Sequence, residues 1–184
     1  NVDDSTLSKI SVQYNDLIKK FDSSEEVITD KALHNFLWIG FIKILFPEAK
    51  IVHCQRNRKD NCLSIYKNLF DENLNWAYDQ SKILSFYKDY FKIMKFWKVK
   101  IPEFVFDLNY EDLISSPKIN IQNLLNFCNL DWHDDCLQFY KTERQVKTVS
   151  FAQVRKPIYN TSVNSSKNFE PFLIDFFSNL EKIN

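Results

Sequence analysis

The chain has 184 residues, 45% hydrophobic and 26% charged, which is enough to bury a core without disulfides or metals and argues against a disordered chain. Its 24 Lys and Arg balance its 24 Asp and Glu, so no global basic field recruits nucleic acid. The best apolar run, Phe36 to Phe46, is too short to cross a bilayer and carries Lys43.

In chain order, Leu7, Ile10, Tyr14, Leu17, Ile18 and Phe21 fall at helical spacing, with Asp4 or Ser5 placed as the cap. Glu25 to Thr29 is a short segment able to pair as a strand. Phe36 to Phe46 is apolar nearly all round and predicts a buried helix that Pro47 stops. Ala49 to Gln55 is too short for a helix and reads as a central, buried strand. Asn57 follows where a helix cap belongs, and Arg58 to Phe70 carries Cys62, Leu63, Tyr66, Leu69 and Phe70 on one side. The result is a strand, a tight turn and a helix in direct succession.

Ile83, Tyr87, Tyr90, Met94 and Trp97 step by four, three, four and three, which is an amphipathic helix whose aromatic face serves as core. Phe104 to Leu108 predicts a second short strand. Ser116 and Pro117 open another helix, with Pro at its first position and Ile121, Leu124, Leu125 and Cys128 on its buried face. Asp131 to Tyr140 holds a short helical turn, Lys141 to Lys167 reads as a long polar loop, and Phe172 to Leu180 closes the sequence as a helix. Strands alternate with helices, so the class is α/β with a mostly parallel sheet in a single domain spanning residues 1–184.

Three features of composition bear on chemistry. The single glycine, Gly40, excludes a glycine-rich phosphate loop within this sequence. Only four arginines occur, Arg56, Arg58, Arg144 and Arg155, and each is a better functional candidate for its rarity, because a guanidinium makes forked contacts that an ammonium cannot. The cysteines, Cys54, Cys62, Cys128 and Cys136, form no CxxC pair and no zinc spacing; the first three sit among apolar neighbours and read as small buried hydrophobes in a reducing, cytoplasmic compartment. Residue 1 is Asn and no signal-peptide pattern follows, so the start is read as a cut or processed end.

Ligands of open α/β sheets bind beyond the carboxyl ends of the strands. Arg56 stands there, just before a helix whose N-terminal N–H groups favour an anion. Ser64 lies two turns into that helix. A guanidinium and a hydroxyl facing one cleft would hold a phosphate monoester, since a dianion needs a fixed cation and neutral donors for its remaining oxygens.

These residues also carry a resemblance. The stretch Ile28 to Phe70 resembles the sulfotransferase superfamily, in particular bacterial sulfotransferases fused to tetratricopeptide repeats and tyrosylprotein sulfotransferases. Those families read roughly T-D-K-x-P-x-N-F, then F-P-x-A-x-I-x-x-x-R-x-P-x-D-x-x-x-S, and the second block matches Phe46 to Ser64 with the same step from Arg56 to Ser64. Asn109 to Leu113 is similar to V-x-Y-E-D-L, and Ser150 to Tyr159 is similar to S-x-x-Q-V-R-x-P-I-Y. Together the blocks run from about Ile28 to Leu173.

The resemblance implies a P-loop-nucleotide-hydrolase-like α/β fold. It also implies transfer of a sulfuryl group from 3′-phosphoadenosine 5′-phosphosulfate to a hydroxyl or amine, with no metal required. It implies that Arg56 and Ser64 bind the donor's 3′-phosphate and that Tyr110 lies near the nucleotide. Ser150, Gln153, Val154, Arg155 and Lys156 belong to a loop that closes over the adenosine and 3′-phosphate. Lys31, from T-D-K, is the candidate cation at the reacting centre, and His34 the candidate base.

Departures are equally specific. The P-R-S-G-T-type loop for the 5′-phosphosulfate is absent, and the resemblance places it before Asn1, which makes the fold N-terminally incomplete and this chain, by itself, the 3′-phosphate half of the donor site. The expected Pro residues are Leu33 and Arg58, and the family's S-V-G-R-W is Ser162-Val163-Asn164-Ser165-Ser166, with Lys167 close enough to substitute the charge. The expected partners are a sulfate acceptor and tetratricopeptide repeats, with neither nucleic acid nor membrane. Two other readings stay open: a catalytically inactive relative that binds an adenosine 3′,5′-bisphosphate-like ligand, and a helical interaction module packed on such repeats.

Overall fold

A computed structural model describes residues 3–20, 27–70, 74–141 and 155–183. They divide into two units, one from residues 1–51 and 92–105, the other from 52–91 and 106–184.

The first unit opens with α1 (Asp4–Lys19), capped one residue earlier than expected: Asp3 accepts the Thr6 N–H at 2.8 Å. Residues 27–29 of the expected Glu25 to Thr29 strand are not in a sheet. The expected helix over Phe36 to Phe46 is broken at Trp38, between a 3-10 turn (Asn35–Leu37) and α2 (Ile39–Leu45). Trp97 Nε1 donates to the Phe36 carbonyl at 3.0 Å, competing for an acceptor that a continuous helix would use. Nor is the run buried all round: within α2 only Ile39 is buried, while Leu37, Trp38 and Ile44 are exposed. Gly40 lies against the same indole, where a β-carbon would collide with the ring of Trp97. The one glycine is therefore used for close packing, not for a turn.

The second unit holds most of a two-stranded parallel sheet, β1 (Ile51–Gln55) beside β2 (Val105–Asn109). β1 was expected to be buried on both faces. Its burial alternates instead, with Val52 and Cys54 exposed, because a two-stranded sheet leaves part of a face uncovered. Cys54 is therefore not the buried hydrophobe expected, whereas Cys62 is. Cys62 and Leu63 of α3 (Arg58–Lys67) pack with Ile83 of α4 (Gln80–Lys100) and with Phe176, Phe177 and Leu180 of α7 (Ile174–Glu181). Each of these Leu, Ile and Phe side chains contributes about 1.5–3 kcal/mol on burial.

β2 runs straight into α5 (Tyr110–Ser115), with Asn109 accepting the Asp112 N–H, and α6 (Pro117–Phe127) follows with Pro at its first position, as its missing N–H permits. Short 3-10 turns at Asp134–Leu137 and Phe139–Lys141 realise the expected helical turn after Asp131. Among the described residues, no helix is long and apolar enough to cross a membrane.

Two non-glycine residues have positive φ, Asn129 at 56° and Asn164 at 59°. With its one glycine committed beside Trp97, the chain uses Asn for left-handed turns, the residue that tolerates them best after glycine.

Candidate functional site

The junction of β1 and α3 is built by local rules. Asn57 caps α3, its Oδ1 accepting the N–H groups of Lys59 at 3.0 Å and Asp60 at 3.2 Å. From α5, Glu111 Oε1 accepts the Asn57 N–H at 2.9 Å. The terminus expected to offer free N–H groups to an anion is thus already served by the chain's own acceptors. Arg58 stands where the family pattern has Pro. Its Nη1 donates to the carbonyls of Leu180 at 2.9 Å and Ile183 at 2.8 Å, which satisfies the end of α7. Either residue suits a first helical position, because the N–H there has no helical partner.

Arg56 is largely buried, with 22% of its side chain exposed. Its Nη2 donates to the Ser162 carbonyl at 2.5 Å and lies 3.8 Å from Asp60 Oδ2, one helical turn on. The guanidinium carbon sits 5.2 Å from the centroid of the Tyr110 ring. The Tyr110 and Ser162 hydroxyls bond to each other at 2.8 Å. Arg56 Nε is buried and has no hydrogen-bond partner among the described residues. A buried, unpartnered donor of a permanent cation is costly unless an acceptor comes to it, and an anionic oxygen is the best acceptor for it.

Asp60, fully buried, ties the segment 162–166 to α3. Its Oδ2 accepts the Asn164 N–H at 2.7 Å, and its Oδ1 accepts the Ser166 N–H at 2.8 Å and faces the Ser165 hydroxyl at 3.5 Å. Burial pushes this carboxyl up, but the hydrogen bonds from Ser166 and Asn164 and the Arg56 charge outweigh it, leaving Asp60 below the ordinary value of 3.8. Asn164 stands where the family pattern has Gly, and it adopts the left-handed conformation (φ 59°, ψ 22°) that explains that Gly.

The other expected site residues fall as follows. Ser64, half-buried in α3, has its hydroxyl 3.4 Å from Asn68 Nδ2, so its bonding partner differs from those of Arg56. Lys167 is exposed in the 3-10 helix Ser165–Phe172. Arg155 is half-buried and Lys156 exposed at the start of the segment leading to Ser162. Ser150, Gln153 and Val154 lie outside the described residues, as does Arg144. Lys31 and His34 belong to the first unit, both exposed, with His34 opening the Asn35–Leu37 turn. Beside them Asp30 accepts from the Tyr14 hydroxyl at 2.6 Å and Asn35 Nδ2 at 3.5 Å. Burial, then the Asp30 carboxylate, pushes the Tyr14 phenol up to about 12.

The structure thus brings Arg56 and Tyr110 together and adds Asp60, Ser162, Asn164 and Ser166, which sequence reasoning did not assign. Asp60 had a signal: it stands in the first turn of the helix that begins two residues after Arg56, close to it in sequence. Ser162 stood in the S-V-G-R-W block, but its pairing with Arg56 had no signal, because 106 residues separate the two. His53 bridges the sheet to α4 through Nδ1 to Asp107 at 2.7 Å and Nε2 to the Tyr90 hydroxyl. No metal-ligating cluster occurs among the described residues.

Comparison with known proteins agrees with this arrangement. Residues 4–134 match the Sulfotransferase family. A protein of Aquifex aeolicus (strain VF5), described as "Uncharacterized protein", is 37% identical over 174 residues, covering 93% of this chain but only 23% of its own length. The fold is similar to the "Sulfotransferase Domain from the Curacin Biosynthetic Pathway", with a TM-score of 0.60 and 18% identity over 87% of this chain and 60% of that one. The family match spans the Arg56 and Tyr110 blocks, the two that the structure places side by side, and so the chain belongs to the sulfotransferase family.

Proposed function

We propose that this chain supplies the 3′-phosphate half of a donor site for 3′-phosphoadenosine 5′-phosphosulfate, in a protein that moves the sulfuryl group to a hydroxyl or amine. The observation that carries the reading is Arg56 Nε, a buried cationic donor without a partner among the described residues, in a guanidinium set over the Tyr110 ring. Arg56 would take the phosphate charge, Ser64 would supply a neutral donor, and the Ser150 to Lys156 loop with Lys167 would complete the contacts.

Sulfuryl transfer resembles phosphoryl transfer. The acceptor oxygen or nitrogen bonds to sulfur as the bridging oxygen leaves with adenosine 3′,5′-bisphosphate, and the acceptor's proton passes to a base. Positioning and cationic stabilisation supply most of the acceleration. In this reading Lys31 neutralises charge on the transferred group and His34 takes the proton. The segment from α1 to α2 that carries both is held by the Tyr14 to Asp30 hydrogen bond.

Titration calorimetry with adenosine 3′,5′-bisphosphate tests the donor half. Saturable binding by the wild type, lost in Arg56→Ala, is expected; equal affinity in the two proteins removes Arg56 from the site. A sulfation assay on residues 1–184 is expected to show little or no turnover, because no loop for the 5′-phosphosulfate is present in this sequence.

A further inference from the structure

We infer that Asp60 is a positioning residue for the Arg56 site: by fixing the strap 162–166, it fixes the direction in which the guanidinium meets an anion. The inference rests on the reading of Arg56 as a phosphate ligand.

The geometry runs through one carboxylate. Asp60 is 0% exposed and its two oxygens take two backbone N–H groups of the strap, from Asn164 at 2.7 Å and Ser166 at 2.8 Å. Those groups converge because Asn164 is left-handed; a turn of this kind aims successive N–H groups at one concavity, where an anion fits. The strap then returns the contact. Its Ser162 carbonyl accepts from Arg56 Nη2 at 2.5 Å, and its Ser162 hydroxyl bonds to that of Tyr110, whose ring lies under the guanidinium. A planar fork held at one nitrogen and laid against a ring keeps little freedom to turn. Asp60 lies 3.8 Å from the same Nη2, so the strap and the carboxylate hold one nitrogen between them while Nε stays unpartnered among the described residues. Releasing the strap would free Arg56 to rotate and would blur the aim of Nε.

A merely structural Asp60 would weaken every ligand alike, so the test compares two. Affinities for adenosine 3′,5′-bisphosphate and adenosine 5′-monophosphate are measured on wild type and on Asp60→Asn, which keeps the shape and removes the charge and one acceptor. The wild type is expected to favour the bisphosphate by about 10- to 100-fold, the range of a charge-assisted hydrogen bond. In Asp60→Asn that preference should fall about tenfold, with monophosphate affinity held within about twofold. An unchanged preference, or an equal loss for both ligands, overturns the inference.

If Asp60→Asn does not fold, Asn164→Pro decides the matter. It removes the N–H donated to Asp60 and forbids the left-handed turn at an exposed residue outside α3, and the same selective loss is expected. A wild type that shows no preference for the bisphosphate instead defeats the donor-site reading, and this inference falls with it.

Discussion

Two aspartates, Asp30 and Asp60, stand in sequence blocks of equal clarity, yet the structure treats them oppositely. Asp60 is sealed inside the second unit and holds backbone from more than a hundred residues away. Asp30 is exposed in the first unit and holds two side chains, Tyr14 and Asn35. Buried, fully bonded carboxylates are costly to disturb, because removal strands the N–H groups that faced them, whereas exposed pairs contribute little. A motif in sequence marks a residue; burial decides how much free energy rests on it.

The comparison breaks most directly at Asp60. Asp60→Ala strands the buried Ser166 N–H and the part-buried Asn164 N–H and leaves the Arg56 charge without its neighbour, so a loss of about 3–5 kcal/mol is expected in urea unfolding. A loss below about 1 kcal/mol would place Asp60 in the same class as Asp30. Next comes Arg56→Ala, expected to cost about 2–3 kcal/mol in adenosine 3′,5′-bisphosphate binding by calorimetry and to lower the thermal midpoint, because the buried Asp60 loses its cation and the Ser162 carbonyl its donor. In the first unit the strongest point is packing rather than charge. Gly40→Ala drives a methyl group into the Trp97 ring and should cost about 1–3 kcal/mol, with a changed Trp97 fluorescence as a second readout.

Smaller effects sharpen the contrast through pH. Asp60 has a folded value below 3.8, so its contribution is full above the unfolded value and fades as the pH falls through the folded one. Acid unfolding of Asp60→Asn should therefore be flatter than that of wild type in this window. Tyr14 is the reverse case. Its folded value is raised to about 12, so its contribution is complete below the unfolded value of 10 and is lost as the pH climbs toward 12. Tyr14→Phe should flatten that alkaline limb and cost less than about 1 kcal/mol at neutral pH.

Much of this was legible in the chain. The β1 to α3 junction, the Asn57 cap, Pro117 at the head of α6 and the burial of Cys62 and Leu63 follow from spacing and cap chemistry, which act over a few residues, whereas α3 ends at Lys67 and leaves Leu69, expected on its buried side, 85% exposed. The strand β1 was located but not its burial, because exposure depends on how many strands stand beside it. The helix over Phe36 to Phe46 was misread because a tryptophan sixty-one residues away takes one of its carbonyls. In the site, Arg56 and Tyr110 were named from their blocks, but their meeting at Ser162 was not.

By itself, the sequence determined most of the local elements and the family, since propensity, capping and motif spacing are short-range properties. Tertiary structure alone decided that Asp60 would face Asn164 and Ser166, that Glu111 would take the Asn57 N–H at the head of α3, and that Arg56 Nε would be left unpartnered among the described residues. Those outcomes depend on which distant backbone groups burial forces together, and a buried polar group takes whatever partner the packing delivers.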